Sequence, residues 1–469
     1  MSVFKHFIPK LIIWITLLST SFATDLIVND ITLINPIKVK EIVFPKSANE
    51  VSQLIKKHNA PISIGGGRFS QGGQIATDNT LFIDMRHMNH IVSLDKENHL
   101  ITVESGITWR EIQELIDKYD LSLKIMQSFS NFTVGGSLSV NAHGRYVNEG
   151  AIIRSVDSIK MVLADGEILT ASRKEHSDIF FGAIGGYGGL GVIVEATLSL
   201  TDNTPIERIA KRMKLSSYKD YFLQNIRYSH NAIFHNADLY PPNFEYINAI
   251  TWVKTNKPVT IKERLAPQQR PLPYQEFLLN WISDTKSGKY FRQIIYDRYA
   301  NLRSIVEWRN YEASYDVNSI EPASRKTSTY VLQEYFIPTD HFDSFTKKMV
   351  TILKKNQVNV LNISIRQALP DHESYLSWAR TEVFSFVIYY KQGVTNADKS
   401  EVKKWTSLLI DAALEEGGTY YLPYQIVATN EQFLKAYPGA KKFFKLKSTL
   451  DPQYKFRNKL FDHYYTKTS

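Results

Sequence analysis

The chain has 469 residues, 43% of them hydrophobic and 22% charged, with a formal net charge of +9 and no cysteine. That length holds two or three domains and a large core. The missing cysteine excludes disulfides, thiolate metal sites, cysteine nucleophiles and cysteine-linked cofactors. The positive balance favours anionic surroundings such as phosphate groups, acidic sugars or a membrane surface, yet the basic residues are scattered and accompany no nucleic-acid motif.

The first element is an address. Residues 1–10 carry Lys5 and Lys10, residues 11–18 are apolar and too short to span a bilayer comfortably, and Ser21-Phe22-Ala23 is A-x-A-like. This pattern predicts a secretory signal peptide over residues 1–23, with an uncleaved N-terminal anchor as the alternative. The mature chain is therefore expected outside the cytoplasm, periplasmic or secreted, soluble or peripheral.

From residue 38 to 201 short strands and helices alternate. Ser47 and Glu50 spell a capping box, and Val51, Leu54 and Ile55 share the face of the helix that follows. Residues 61–64 read as a buried strand. They run into Gly65-Gly66-Gly67-Arg68-Phe69-Ser70-Gln71-Gly72-Gly73-Gln74, where five glycines in ten residues expose backbone N–H groups in a nest for phosphate. A second box, Thr108-x-x-Glu111, opens a helix whose Trp109, Ile112, Leu115, Ile116 and Tyr119 are core spacing. Residues 133–144 are small and end near His143, so a flat ligand can approach the backbone there. Residues 158–170 predict a hairpin turning at Asp165-Gly166. A literal G-x-G-x-x-G spans residues 186–191, but it precedes the strand at 192–200 instead of opening a helix, so it is no Rossmann fingerprint. A P-loop and a zinc-protease motif are absent from the sequence.

Thr204-Pro205 marks a boundary. Beyond it aromatic residues are frequent, and the extended runs 330–337 and 383–390 predict the sheet of a second domain. Pro267, Pro271 and Pro273 mark an irregular connection. Residues 277–282 (Phe-Leu-Leu-Asn-Trp-Ile), near Lys286, Lys289 and Arg292, read either as a core helix of that domain or as a peripheral membrane contact.

Three glycine-rich segments in this order, within one α+β domain, resemble the PCMH-type FAD-binding domain of the vanillyl-alcohol oxidase superfamily. GGRFSQGGQ, TVESGITWREI, FTVGGSLSVNAHGR and DIFFGAIGGYGGLGVIVEATL carry the resemblance, over residues 38–203. It implies an α+β fold: a two-subdomain FAD-binding domain over residues 24–203, an α+β substrate domain on an antiparallel sheet over 204–430, and a segment at 431–469 that returns to the first domain. Within the superfamily the chain is most similar to the aldonolactone and alditol oxidases and the decaprenylphosphoryl-ribose oxidases, through Gln333-Glu334-Tyr335, Gly417-Gly418-Thr419-Tyr420-Tyr421 and Asp451-Pro452 with Phe456.

The resemblance also implies roles. Gly65, Gly66, Gly67, Arg68, Phe69, Ser70, Gly72 and Gln74 would wrap the FAD pyrophosphate. Thr133, Val134, Gly135, Gly136, Asn141 and His143 would lie along the pyrophosphate and isoalloxazine, with Val192 and Ile193 on the adenine side and Tyr421 at the flavin. His143, Glu334 and Tyr424 are the expected catalytic residues, and Tyr335, Arg366 and Arg380 the expected substrate contacts. Beside these stand plainer readings: Glu334 as an ordinary strand carboxylate, the arginines as salt-bridge partners. Many relatives link FAD through a histidine before the serine of the first loop. This chain has Phe69 there, so FAD is expected to be non-covalent. Where the lactone and decaprenylphosphoryl-ribose oxidases place a lysine, this chain has Tyr424.

The implied activity is oxidation of a carbinol in a sugar, alditol or aldonolactone, like that of a D-arabinono-1,4-lactone oxidase. Oxygen, a quinone or a protein would take the electrons, and no nucleic acid is involved. The alternatives are a lipid-linked sugar as substrate, and a non-catalytic binding protein on a flavin fold.

Overall fold

A computed structural model describes residues 26–268, 281–282, 285–292, 301–319, 321–322 and 324–465. The predicted signal peptide, Pro271, Pro273 and residues 277–280 of the apolar segment lie outside the described residues. Among those described, no helix is long and apolar enough to cross a membrane.

Strands β1 (Leu26–Val28) and β2 (Ile37–Val39) pair antiparallel at the start. β3 (Glu41–Val43), β4 (Ile62–Gly65) and β5 (Leu81–Asp84) form a parallel sheet with β5 in the middle. Helix α1 (Ala48–Lys57) makes the crossover and buries Val51 and Ile55. Ser47 caps it by accepting the Glu50 N–H, but the Glu50 carboxylate accepts from the Lys46 N–H, so the predicted box closes one residue early.

A second sheet is antiparallel. It comprises β6 (Ile91–Asp95), β7 (Leu100–Glu104), β8 (Leu121–Leu123), β9 (Val156–Val162), β10 (Ile168–Ser172) and β11 (Val192–Asp202). The order is β10-β9-β11-β7-β6, with β8 on the far end of β11. Helix α2 (Trp109–Ile116) has both halves of its capping box and buries Trp109, Ile112 and Ile116. Two short helices, α3 (Val134–Ser139) and α4 (Ser177–Ala183), carry the other small-residue segments.

Pro205 opens an eight-stranded sheet of β12 (Pro205–Lys214), β13 (Ala232–Leu239), β14 (Tyr246–Lys254), β15 (Val306–Trp308), β16 (Ser328–Pro338), β17 (Val360–Ala368), β18 (Val383–Gly393) and β19 (Thr419–Tyr420). Its order is β15-β12-β14-β13-β17-β18-β16-β19, and every neighbouring pair is antiparallel. Helices α5 (Tyr218–Asn225), α6 (Phe342–Lys355) and α7 (Asn396–Glu415) bury Phe222, Phe342, Phe345, Met349 and Leu409. Strand periodicity decides the faces: Val331, Gln333, Tyr335 and Ile337 of β16 turn one way, while Tyr330, Leu332 and Glu334 turn the other, toward the first lobe.

The chain then returns. Helix α8 (Asn430–Ala436) packs on α7, while α9 (Ala440–Leu450) packs on α4 and α10 (Lys459–Tyr464) on the first lobe at Ala76 and Gly189. Phe456 bridges Ile62 of β4, and the buried ammonium of Lys447 donates to the Gly189 carbonyl at 2.7 Å.

Candidate active site

The first glycine segment leaves β4 and turns tightly. A Cβ on Gly66 would stand 2.4 Å from Thr133 Oγ1, so only glycine fits. Beside it, the Gly67 N–H donates to the same oxygen at 3.1 Å, which joins the first loop to the second. Arg68 takes a left-handed conformation, φ 61°. Its guanidinium meets Asp84 at 2.6 Å, and Arg86 meets the same carboxylate at 2.7 Å. Burial pushes the Asp84 carboxyl up, but the two guanidiniums outweigh it and leave it below the usual range. The N–H groups of Arg68, Phe69 and Ser70 have no protein partner among the described residues. They remain free for an anionic ligand.

The same loop grips the second domain. The Gln71 N–H donates to the Pro423 carbonyl at 2.7 Å, and Gln71 Oε1 accepts from the Leu332 N–H at 2.7 Å. Gln74 Nε2 donates to the carbonyls of Leu422 and Tyr424 at 2.6 and 2.7 Å.

Between the glycine segments and the inward face of β16, β17 and β18 lies one cleft, enclosing about 1750 Å³ with its open mouth included. Gly65, Gly66, Gly67, Arg68, Phe69, Ser70, Gln74, Thr133, Gly135, Gly136, His143, Ile193 and Tyr421 all line it. Four expected cofactor residues do not. Gly72 is pressed against the Tyr424 carbonyl. Val134 is fully buried in the core, and Val192 packs inward while its neighbour Ile193 faces the cleft. Asn141, at φ 48°, spends its amide on Asp371 and Ser374, both at 2.8 Å, and accepts from the Ile153 N–H at 3.2 Å. It shapes the turn that delivers His143 and has no atom left for a ligand.

Four buried polar atoms on cleft-lining residues lack a hydrogen-bond partner among the described residues: Arg68 Nε, Ser105 Oγ, Ser128 Oγ and Arg366 Nε. Each unpaired buried group costs about 1–3 kcal/mol, so their collection in one cleft marks it as built for a polar ligand. Ser105 and Ser128 were not foreseen, because nothing in their local sequence distinguishes them from turn serines.

At the seam of the two lobes, His143 Nε2 lies 2.6 Å from Glu334 Oε1. Ser385 Oγ donates to the same oxygen at 2.5 Å, and the Tyr424 hydroxyl donates to Oε2 at 3.2 Å. Burial pushes the Glu334 carboxyl up, but His143, Arg366 and Ser385 together outweigh it and hold the carboxyl below its ordinary value. His143 packs against Trp378, which stacks on Phe336 at 4.2 Å. Arg366, opposite Ser385 on β17, also lines the cleft. Ser385 was missed, although a serine amid the apolar run of β18 is a signal that alternation makes readable.

Two expected substrate contacts stand elsewhere. Tyr335 follows Glu334 on β16, so it points to the opposite face and packs on Phe345 of α6. Arg380 donates to the carbonyls of Gly417 and Gly418, at 2.9 and 3.4 Å, just past the C-terminus of α7. It sits outside the cleft and binds backbone carbonyls, neither the expected substrate contact nor the salt bridge of the plainer reading.

Comparison with known proteins supports an FAD-binding first lobe. Residues 39–172 match the FAD binding domain family. L-gulonolactone oxidase of Mus musculus is 22% identical over 431 residues, covering 88% of this chain and 92% of that protein. Decaprenylphosphoryl-beta-D-ribose oxidase of Mycolicibacterium smegmatis is 23% identical over 419 residues, 83% of this chain and 86% of that protein. The mitochondrial D-lactate dehydrogenase [cytochrome] of Arabidopsis thaliana is 35% identical over 169 residues, covering 34% of this chain and 30% of that protein.

Proposed function

We propose that this chain, an FAD-dependent oxidoreductase with a PCMH-type FAD-binding domain, oxidises a carbinol carbon of a sugar, alditol or aldonolactone-like molecule. The residues present fit the cofactor. Free N–H groups at Arg68, Phe69 and Ser70, with Thr133 and Gly136 alongside, suit the pyrophosphate. Gly188, Gly191 and Ile193 suit the adenosine end, and Ala142, His143 and Tyr421 the ring system. Bound FAD supplies the two-electron acceptor for the hydride that leaves the carbinol carbon.

The chain supplies alignment and a proton acceptor. The observation that carries the reading is the buried His143–Glu334–Tyr424 cluster with Arg366 beside it. Glu334, kept ionised, takes the proton of the substrate hydroxyl. His143 holds the carboxylate in place across the seam. Arg366, with an unpaired Nε, donates to a substrate oxygen and fixes which hydroxyl faces Glu334.

The test is anaerobic bleaching of the flavin by a panel of aldonolactones, alditols and free sugars. Bleaching by a member of the panel, at a rate that Arg366→Met reduces, supports the reading. A flavin that no member bleaches, while a chemical reductant does, overturns it. Reoxidation by air identifies an oxidase; reoxidation only by a quinone or protein identifies a dehydrogenase. Export belongs to the same proposal, from the N-terminal pattern of residues 1–23. Cell fractionation tests it, and flotation with anionic liposomes tests peripheral membrane contact.

A further inference from the structure

We infer that the strap of residues 29–35 is part of the cofactor site, and that Asp30 is the positioning residue that holds the first glycine loop in its binding shape. The strap runs between β1 and β2 along the outer edge of that loop. Three hydrogen bonds join them. The Ile31 N–H donates to the Arg68 carbonyl at 3.0 Å, Asn35 Nδ2 donates to the Gln71 carbonyl at 3.0 Å, and the Gly73 N–H donates to Asp30 Oδ2 at 3.3 Å. They meet the loop at its two left-handed residues, Arg68 at φ 61° and Gly73 at φ 77°, and at Gln71 between them.

Asp30 organises the strap itself. It is 1% exposed. Its Oδ1 accepts from the Thr32 N–H and hydroxyl, at 3.0 and 2.5 Å, and its Oδ2 also accepts from Asn35 Nδ2 at 2.7 Å. Every partner is a donor, so both oxygens must be acceptors, which asparagine cannot provide. On its other edge the strap is tied to the second domain. The Thr32 carbonyl accepts from Thr329 Oγ1 and the Ile34 carbonyl from Lys399 Nζ, each at 2.9 Å. Ile31 itself lines the cleft.

The loop keeps its N–H groups at 68–70 free, so its shape rests on contacts made elsewhere: Thr133 and Asp84 hold its start, the second domain holds Gln71 and Gln74, and the strap holds the backbone at Arg68, Gln71 and Gly73. The strap is the part of this frame that ties both left-handed residues. Its removal frees the loop to relax, and FAD leaves faster, while the His143–Glu334 cluster is untouched.

The test uses the full chain. Asp30→Ala and Asn35→Ala are compared with the parent by FAD release, read from flavin fluorescence after dilution, and by melting with and without saturating FAD. Asp30→Ala is expected to weaken FAD binding by about tenfold or more, the loss of hydrogen bonds to a charged group, and Asn35→Ala by about threefold. The melting-temperature gain from FAD shrinks in both. Asp30→Asn, keeping one acceptor, falls between. If the variants lower melting with and without FAD equally, and FAD release is unchanged, the strap is only structural and the inference is wrong. Should Asp30→Ala fail to fold, Asn35→Ala and Thr329→Val decide, and unchanged FAD release in both overturns it.

Discussion

His143 and Glu334 stand 191 positions apart in the chain and 2.6 Å apart in space. One comes from a small-residue turn of the first lobe, the other from β16 of the eight-stranded sheet. The contact therefore exists only when the two lobes are docked. It couples assembly of the molecule to the ionisation of the group proposed as base.

His143→Ala removes the strongest influence opposing the burial of Glu334. The carboxyl then rises, and less of it is ionised at neutral pH. Substrate-driven reduction of the flavin should slow by about 100-fold or more, and the acid limb of its pH profile should move to higher pH. His143→Gln retains a donor and should lose less. Anaerobic stopped-flow across the pH range reads both, and an unchanged rate and profile would remove His143 from the mechanism.

Phe69 fills the place where many relatives carry a flavin-linking histidine. Its ring meets Phe132 edge-on at 4.4 Å and lines the cleft. A phenyl ring has no nucleophilic nitrogen, so acid precipitation should leave all the flavin in the supernatant. Flavin retained in the washed pellet would mean a covalent link at another residue.

The glycine loops were legible because their chemistry is local. A run of small residues announces a close backbone approach whatever packs around it, and β16 announced itself as extended. What failed was direction. Glu334 and Tyr335 are neighbours in one strand, and only the docking of α6 decides which of them faces the cleft. Asn141 lies inside a cofactor-like motif, yet Asp371 and Ser374, over 200 positions away, claim its amide. Arg380 had the right residue type, but the end of α7 offered it carbonyls. Ser105, Ser128 and the strap around Asp30 needed the tertiary structure to be seen at all.

Tyr335 and Tyr424 of the second domain make a paired prediction. The hydroxyl of Tyr335 is buried without a partner among the described residues, whereas that of Tyr424 donates to Glu334 Oε2 at 3.2 Å. Tyr335→Phe deletes an unsatisfied group and should be neutral or stabilising, by up to about 1 kcal/mol, with turnover unchanged. Tyr424→Phe takes from the buried Glu334 Oε2 its hydroxyl donor, so it should lower melting as well as kcat/KM, the latter by about tenfold, the loss of a hydrogen bond to a charged group. Steady-state kinetics and thermal melting on both variants check this. Equal kinetic losses would contradict the opposite facing of the two rings.

His235 predicts how the second domain responds to acid. It is buried in β13, with Nδ1 2.8 Å from Thr251 Oγ1 and Nε2 3.1 Å from the Tyr218 hydroxyl, and its ring stacks on that tyrosine. Burial pushes its pKa down to about 3, from an ordinary 6.5. The unfolded chain therefore binds a proton at this site over a range where the folded chain does not. Stability is full above the unfolded pKa and falls as pH drops from about 6.5 toward 3, by up to about 1.4 kcal/mol per pH unit from this group. Carboxylates add their own losses lower in the range, so the parent's curve alone does not isolate His235. His235→Gln keeps hydrogen-bonding capacity but cannot take the proton. Its stability should start lower and then fall less steeply between pH 6.5 and 4.5, so the two curves converge. Curves that stay parallel over that interval would show that His235 is not the group being titrated.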